Sequence, residues 1–240
     1  MPDGSAAAFA QDGALDGIAL LAPLSASERA ALARRCRWRR FRAGEQIIDH
    51  QGDTAEVCFI VAGRVRVVTH SASGREISFD DIEAGGFLGE MSAIDGQPRS
   101  ASVVALTEGT VAAFLAPKPF LELVAGHPDL AVTVMRRLCR IARITTDRIV
   151  EMSTLGANNR VHAELLRLAR RARREGPAAV IAPIPTHADI ASRVGTTRET
   201  VARVLGELSR DGLVERRPGA LAVLDLARLE ALVEEVRSGS

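Results

Sequence analysis

Three cysteines in 240 residues, Cys36, Cys58 and Cys139, are too few and too widely spaced for a disulfide framework or a zinc knuckle. They read as buried or idle thiols. No apolar run approaches the roughly 18–20 residues that span a bilayer, and the opening stretch MPDGSAAAFAQDG has neither the basic region nor the long apolar segment of a signal peptide. The expectation is a cytoplasmic protein with no membrane partner. An excess of charge is also missing: 31 Lys and Arg against 30 Asp and Glu leave a formal net charge of +1. Any nucleic-acid surface must therefore come from local clustering of arginine. The five histidines are scattered without metal-ligand spacing, and no Ser or Cys stands in a nucleophile elbow. An enzyme such as a phosphodiesterase would need a metal site or a nucleophile with its base, so the residues argue against catalysis and against a metal.

What is present is the balance of an ordinary globular protein, 47% hydrophobic and 25% charged, over a length that suits two domains of unequal size. Residues 1–20 form a small-residue leader with no assignable role, expected to be disordered. A helix is expected over about Leu24 to Cys36, with Ser25 or Ser27 as N-cap. Between Phe41 and Leu115, runs rich in Val, Ile and Phe alternate with turn signals at Ala43-Gly44, Gln51-Gly52, Ala62-Gly63, Ser73-Gly74, Gly85-Gly86 and Asp95-Gly96. A spacing of roughly ten residues describes an antiparallel barrel or roll, placed over residues 21–127.

From Leu130 to Leu155 there is no Pro or Gly, and a heptad register fits. Ala131, Leu138, Thr145 and Met152 share one seam position; Val134, Ile141, Arg148 and Leu155 share the other. Either two copies pack along this stripe or the helix lies on its own roll. Gly156, Ala157 and Asn158 interrupt this long helix, assigned to residues 128–155, and make the best domain boundary. A further helix is expected over about Asn159 to Arg174, ended by Glu175-Gly176-Pro177 before a short apolar segment from Ala179 to Ile184.

In residues 156–240 the stretch PTHADIASRVGTTRETVARVLGELSRDGLVERRPGALAVLD reads as helix, tight turn at Gly195, helix and hairpin. Thr186 with Asp189 caps the first helix, and Thr196 with Glu199 is expected to form a capping box for the second. Val201, Val204, Leu205 and Leu208 supply its buried stripe. The opposite face carries Arg198, Glu199, Ala202 and Arg203, residue types that suit a helix in a major groove. Each alone could equally solvate an exposed face. The hairpin around Arg217-Pro218-Gly219-Ala220 would be a wing.

Within the roll, GGFLGEMSAIDGQPRSASVV departs from strand alternation and gathers Gly89, Glu90, Arg99 and Ser100 around a short helical turn. A phosphate needs backbone amides it can approach closely and a paired cation; Gly89 with the amides after it, and Arg99 with its fork, supply them. Glu90 could accept from a ribose hydroxyl and Ser100 could donate to a phosphate oxygen. Alternatively, Arg99 closes an ion pair with Glu90.

The run GEMSAIDGQPRSAS resembles the phosphate-binding cassette of cyclic-nucleotide-binding domains, and GTTRETVARVL resembles the recognition helix of the Crp/Fnr regulators. The likeness extends from about Leu24 to about Leu224. It implies an α+β architecture: a cyclic-nucleotide-binding, jelly-roll-like β-roll, a long dimerisation helix and a C-terminal winged helix-turn-helix. It implies a homodimer in which cyclic AMP, or cyclic GMP, is held by Gly89, Glu90, Arg99 and Ser100, with Leu88, Met91 and Ser92 lining the site. Thr145 and Thr146 would meet the purine from both subunits, although a polar seam residue such as Thr145 can also merely fix register. On the DNA side it implies a palindromic operator with TGTGA-like half-sites, read by Arg198, Glu199 and Arg203, with Thr186, Thr197 and Thr200 on phosphates, and RNA polymerase as a further partner. The region before Cys36 holds no cysteine, against the iron-sulfur branch of the family; His50 and His70 lack a recognisable partner for haem. A regulator of the same fold that works without nucleotide remains the alternative.

Overall fold

The computed structural model describes residues 13–71 and 74–237. They divide into two compact units, one ending at Ile141 and the other beginning at Ala142.

The first unit is a roll of two four-stranded antiparallel sheets. One takes the order β1-β8-β3-β6 and comprises β1 (Arg37–Phe41), β3 (Val57–Ala62), β6 (Phe87–Leu88) and β8 (Thr110–Leu115). The other takes the order β2-β7-β4-β5 and comprises β2 (Gln46–Ile48), β4 (Arg64–His70), β5 (Glu76–Glu83) and β7 (Ser102–Ala105). The turn signals lie where expected, except that Ser73 of the Ser73-Gly74 pair lies outside the described residues. Gly63 joins β3 to β4 at φ 86, and a Cβ there would stand 2.4 Å from Thr110 Oγ1, so both conformation and space demand glycine. Strand β1 is an edge: Trp38 and Phe41 point into the core, while Arg37, Arg39 and Arg40 are exposed.

Ser25 does cap α1 (Ala26–Arg35). Its hydroxyl accepts from Glu28 N, and the Glu28 carboxylate accepts from Ser25 N at 2.8 Å. The leader differs from expectation. Residues 1–12 lie outside the described residues, but Leu15, Ile18, Leu20 and Leu21 are buried in the core that holds Leu24, Trp38, Phe59 and Phe120. A backbone bond from Ala19 N to Gly85 O fixes the segment. Its small-residue composition conceals apolar positions spaced to cover one face of the roll.

Three helices complete the unit or leave it: α2 (Glu90–Asp95), α3 (Pro117–Gly126) and the 27-residue α4 (Pro128–Thr154). The heptad rows read from the sequence are split. Val134 is buried and Leu138 half-buried, both in the first unit's core together with Leu130, so these seam positions serve the chain's own roll. A different row is exposed along α4: Val132, Met135, Cys139, Ala142, Thr146 and Ile149. Its spacing alternates three and four, which is again a heptad. Thr146, not Thr145, falls on it.

The second unit holds α5 (Ala157–Arg171), β9 (Arg173–Glu175), β10 (Ala178–Ile181), α6 (His187–Val194), α7 (Arg198–Arg210), β11 (Val214–Arg217), β12 (Ala220–Val223) and α8 (Leu226–Arg237). Its strands form one antiparallel sheet in the order β11-β12-β10-β9. Val161, Leu165, Ile190, Val201, Val204, Leu208 and Leu229 fill one core beneath α5, α6, α7 and α8. Beside it Arg167 bridges two buried carboxylates, Glu151 of α4 and Glu164 of α5, each at 3.0 Å. Mutual attraction holds the Arg167 guanidinium in its charged form despite burial.

Candidate functional site

In the first unit, β6 feeds Gly89, which adopts φ 84 and starts α2. A Cβ at Gly89 would lie 2.7 Å from Arg99 Nη1 and 2.8 Å from the Glu56 carbonyl oxygen, so glycine lets the Arg99 side chain pass against the backbone. Leu88, Glu90, Ser92 and Arg99 are buried; Met91 and Ser100 are exposed, with Ser100 Oγ 3.9 Å from Met91 Sδ. Five of the seven cassette residues named from the sequence are consecutive, and Arg99 folds back onto one of them, Gly89.

Arg99 is 3% exposed. Its Nη1 donates to Gly89 O at 3.1 Å, and its Nη2 donates to Glu56 O at 2.7 Å and weakly to Thr54 Oγ1 at 3.4 Å. Nε is buried and has no partner. Every acceptor is neutral, and burial pushes the pKa of the guanidinium down. A buried cation bonded only to neutral groups, with a donor left over, is unfavourable unless an anion completes it.

The ion pair between Arg99 and Glu90 that the sequence allowed does not form. Glu90 instead accepts from Arg137 Nε at 2.9 Å, and the Arg137 guanidinium lies 4.8 Å from the centre of the Phe87 ring. Sequence reasoning missed Arg137 because it stands 47 positions from Glu90 among several arginines of α4. His50 also faces the cassette: its Nδ1 contacts the Arg99 carbonyl oxygen. Thr145 and Thr146 are exposed on the portion of α4 that belongs to the second unit.

In the second unit Thr186 caps α6. Its hydroxyl accepts from Asp189 N at 3.1 Å, while the Asp189 carboxylate accepts from Thr186 N at 3.0 Å. Gly195 then ends α6 at φ 65. The capping box expected between Thr196 and Glu199 is replaced by a cap one residue later. Thr196 is buried and its N–H returns to Ala191 O at 3.1 Å, which keeps it in the turn. Thr197 becomes the N-cap of α7, its hydroxyl accepting from Thr200 N at 3.3 Å. Glu199 lies in the first turn, where its own backbone N–H and the Thr197 hydroxyl lower its pKa.

Arg198, Glu199, Ala202 and Arg203 are exposed on one side of α7. A groove of about 630 Å³ runs beside it, lined by Thr186, Arg198, Ala202, Ser209 and, from the hairpin, Arg216. Arg203 is engaged: Nη1 donates to Glu207 Oε1 at 3.0 Å and Nη2 to Asn158 Oδ1 at 2.6 Å. The other hairpin arginine, Arg217, pairs with Glu215 and Glu175. Among the described residues no three His, Cys, Asp or Glu side chains come together to hold a metal ion, and no helix is long and apolar enough to cross a membrane.

Comparison with known proteins matches both units. Residues 38–127 fit the family model described as the cyclic nucleotide-binding domain, and residues 159–232 that of the Crp-like helix-turn-helix domain. The chain is 35% identical over 186 residues to the cyclic AMP receptor protein of Thermus thermophilus, covering 77% of this chain and 83% of that protein. It is 30% identical over 181 residues to the cAMP-activated global transcriptional regulator CRP of Salmonella typhimurium, covering 72% and 83%. The solved structure of the c-di-GMP responsive global regulator CLP of Xanthomonas campestris shares the fold with a TM-score of 0.70 at 20% identity, over 83% of this chain and 99% of that one.

Proposed function

The chain belongs to the Crp/Fnr family of transcription regulators, and on that premise we propose that it is a homodimeric regulator switched by cyclic AMP. The observation that carries the ligand is Arg99. Its buried guanidinium touches only neutral oxygens and keeps one donor unused; a cyclic phosphate would supply the missing charge and an acceptor. Ser100 adds a hydroxyl for a phosphate oxygen. Glu90, held by Arg137, keeps its second carboxylate oxygen for a ribose hydroxyl.

Thr145 and Thr146 read the purine. The exposed row from Val132 to Ile149 forms the seam between two copies, because an apolar heptad left in water is stabilised by a partner helix. A ligand shifts an equilibrium only by its difference in affinity for the two arrangements. Contacts from the threonines that form in one arrangement and not the other supply that difference, and the joint at Gly156 passes it to the DNA heads. The heads take a palindromic operator with TGTGA-like half-sites about one helical turn apart. Arg198 donates to a guanine, Glu199 accepts from a cytosine amine and Arg203 reaches a second base, while Thr186, Thr197 and Thr200 hold phosphates. The bound dimer meets RNA polymerase in the cytoplasm. No step calls for catalysis or a metal.

Calorimetric titration of cyclic AMP, cyclic GMP and c-di-GMP into the purified protein tests the ligand. Tightest binding by cyclic AMP, at one nucleotide per chain, is the expected result. Tighter cyclic GMP would transfer the reading to that nucleotide, and no binding by any of the three would leave a nucleotide-independent regulator. A DNA site selection run with and without nucleotide tests the operator.

A further inference from the structure

Reading a base with Arg203 requires its guanidinium to project from α7, yet the side chain is committed elsewhere. The bond to Glu207 is an ordinary pair four residues along one helix and holds little by itself. The bond to Asn158 is of another kind, since it spans 45 residues at 2.6 Å and ends on the joint between α4 and α5. Asn158 is the second residue of α5, immediately beyond Gly156 and Ala157. With both terminal nitrogens held, the half-exposed Arg203 side chain is tethered to its own fold, and presenting its fork to a base means breaking at least one contact.

The joint is tied to the same surface at a second point. Arg160 donates to Leu155 O at 2.7 Å, closing the end of α4, and to Val194 O at 2.8 Å and Gly195 O at 3.4 Å in the turn between α6 and α7. Arg160 touches the turn, and Asn158 touches the reading face. A change at Asn158 reaches the Arg203 side chain directly through one amide oxygen. That oxygen is neutral, so the contact is releasable in a way that a buried carboxylate would not be.

We propose that Asn158 is a positioning residue that withholds Arg203 from the DNA in the free protein and releases it when the joint rearranges. The inference rests on Arg203 being a base reader, as proposed above.

The test uses the full-length protein, an operator duplex recovered by site selection and a random duplex at the same salt, with binding followed by fluorescence anisotropy. Asn158→Ala should raise operator affinity without nucleotide on the order of three- to ten-fold, the value of one hydrogen bond, and leave random DNA unchanged. Asn158→Asp should act in the opposite direction through a charge-assisted tether, and an acid suits the first turn of α5. Arg203→Ala should lower operator affinity, and Asn158→Ala added to it should change nothing further. An effect of Asn158→Ala that persists in the Arg203→Ala background, or that appears equally on random DNA, overturns the proposal and makes Asn158 a structural part of the joint. If Arg203→Ala leaves operator affinity intact, the base-reading role of Arg203 fails first, and this inference falls with it.

Discussion

The Glu90 carboxylate, 3% exposed, accepts from Arg137 Nε at 2.9 Å, so the buried acid of the cassette is neutralised from the long helix and not from its neighbour Arg99. Removing Arg137 strands that carboxylate. Breaking a fully buried pair costs about 3–5 kcal/mol; because a quarter of the Arg137 side chain is exposed, Arg137→Leu should cost about 1–3 kcal/mol. Adding Glu90→Gln should restore most of it. Thermal melting of the single and double variants measures this, and additive losses would show that the two side chains do not depend on each other.

Arg99→Ala should weaken binding of the cyclic nucleotide by at least about thirty-fold, equivalent to the roughly 2–5 kcal/mol for truncating one side of a desolvated, charge-assisted contact. The same change relieves a buried cation with an unmet donor, so the nucleotide-free roll should lose little stability. Calorimetry and melting on one preparation check both. Intact affinity in a folded variant would remove Arg99 from the ligand site.

The two faces of α4 should respond differently. Ile149→Glu places a charge in the exposed heptad row and should shift the protein to monomer in sedimentation analysis. Val134→Ala, on the buried face, should cost about 1–3 kcal/mol of roll stability through lost packing and leave the dimer in place. Reversed outcomes would return the seam to Val134 and its companions.

On α7, Arg198→Ala should flatten preference at one base pair per half-site, losing about 1–3 kcal/mol on the operator and little on random DNA. Thr197→Ala should weaken both alike. Because Thr197 is also the N-cap, it should in addition lower the melting point by the equivalent of about 1 kcal/mol. Site selection on randomised DNA separates the pair, and an Arg198→Ala protein that recovers the same site with the same stringency would show that this helix does not read bases.

Acid should weaken the second unit through His162. Burial holds its pKa below the usual 6.5, so as pH falls through that value the unfolded chain takes up a proton that the folded one refuses, and stability drops. His127, raised by the Leu123 carbonyl and Glu28, has the opposite sign and sits in the first unit. Comparing His162→Gln with the parent at pH 7.5 and 5.5 isolates the effect: the variant should lose less melting temperature on acidification. Equal losses would assign the acid response to other groups.

Which of this was legible depended on the range of the interaction. The α7 cap and stripe are local: the stripe of Val201, Val204, Leu205 and Leu208 packs into the core as read, and only the cap was missed by one residue, because the turn consumes Thr196 while Thr197, also a threonine, caps equally well. Along α4 two apolar rows run side by side at coiled-coil spacing, and only the position of the roll decides which of them is covered. Periodicity establishes that a face is apolar without saying what meets it. Arg137 with Glu90, Asn158 with Arg203 and Arg160 with the Val194 carbonyl join residues 34 to 47 positions apart; no spacing rule reaches that far. Leu15 and Ile18 were hidden by the small residues around them.

The edge strand β1 also governs how the roll meets other copies while it is being made. An open edge is a template for intermolecular strand addition, and natural sheets guard it with charge. Here Arg37, Arg39 and Arg40 are exposed along that border, with Arg37 paired to Glu56 and Arg39 to Glu45, so a strand adding to this edge would have to desolvate or displace charged side chains. Strand addition by that route is thereby opposed, and the proposed pairing of two copies is left to α4. Replacing the three arginines with apolar residues would leave that border open to strand addition.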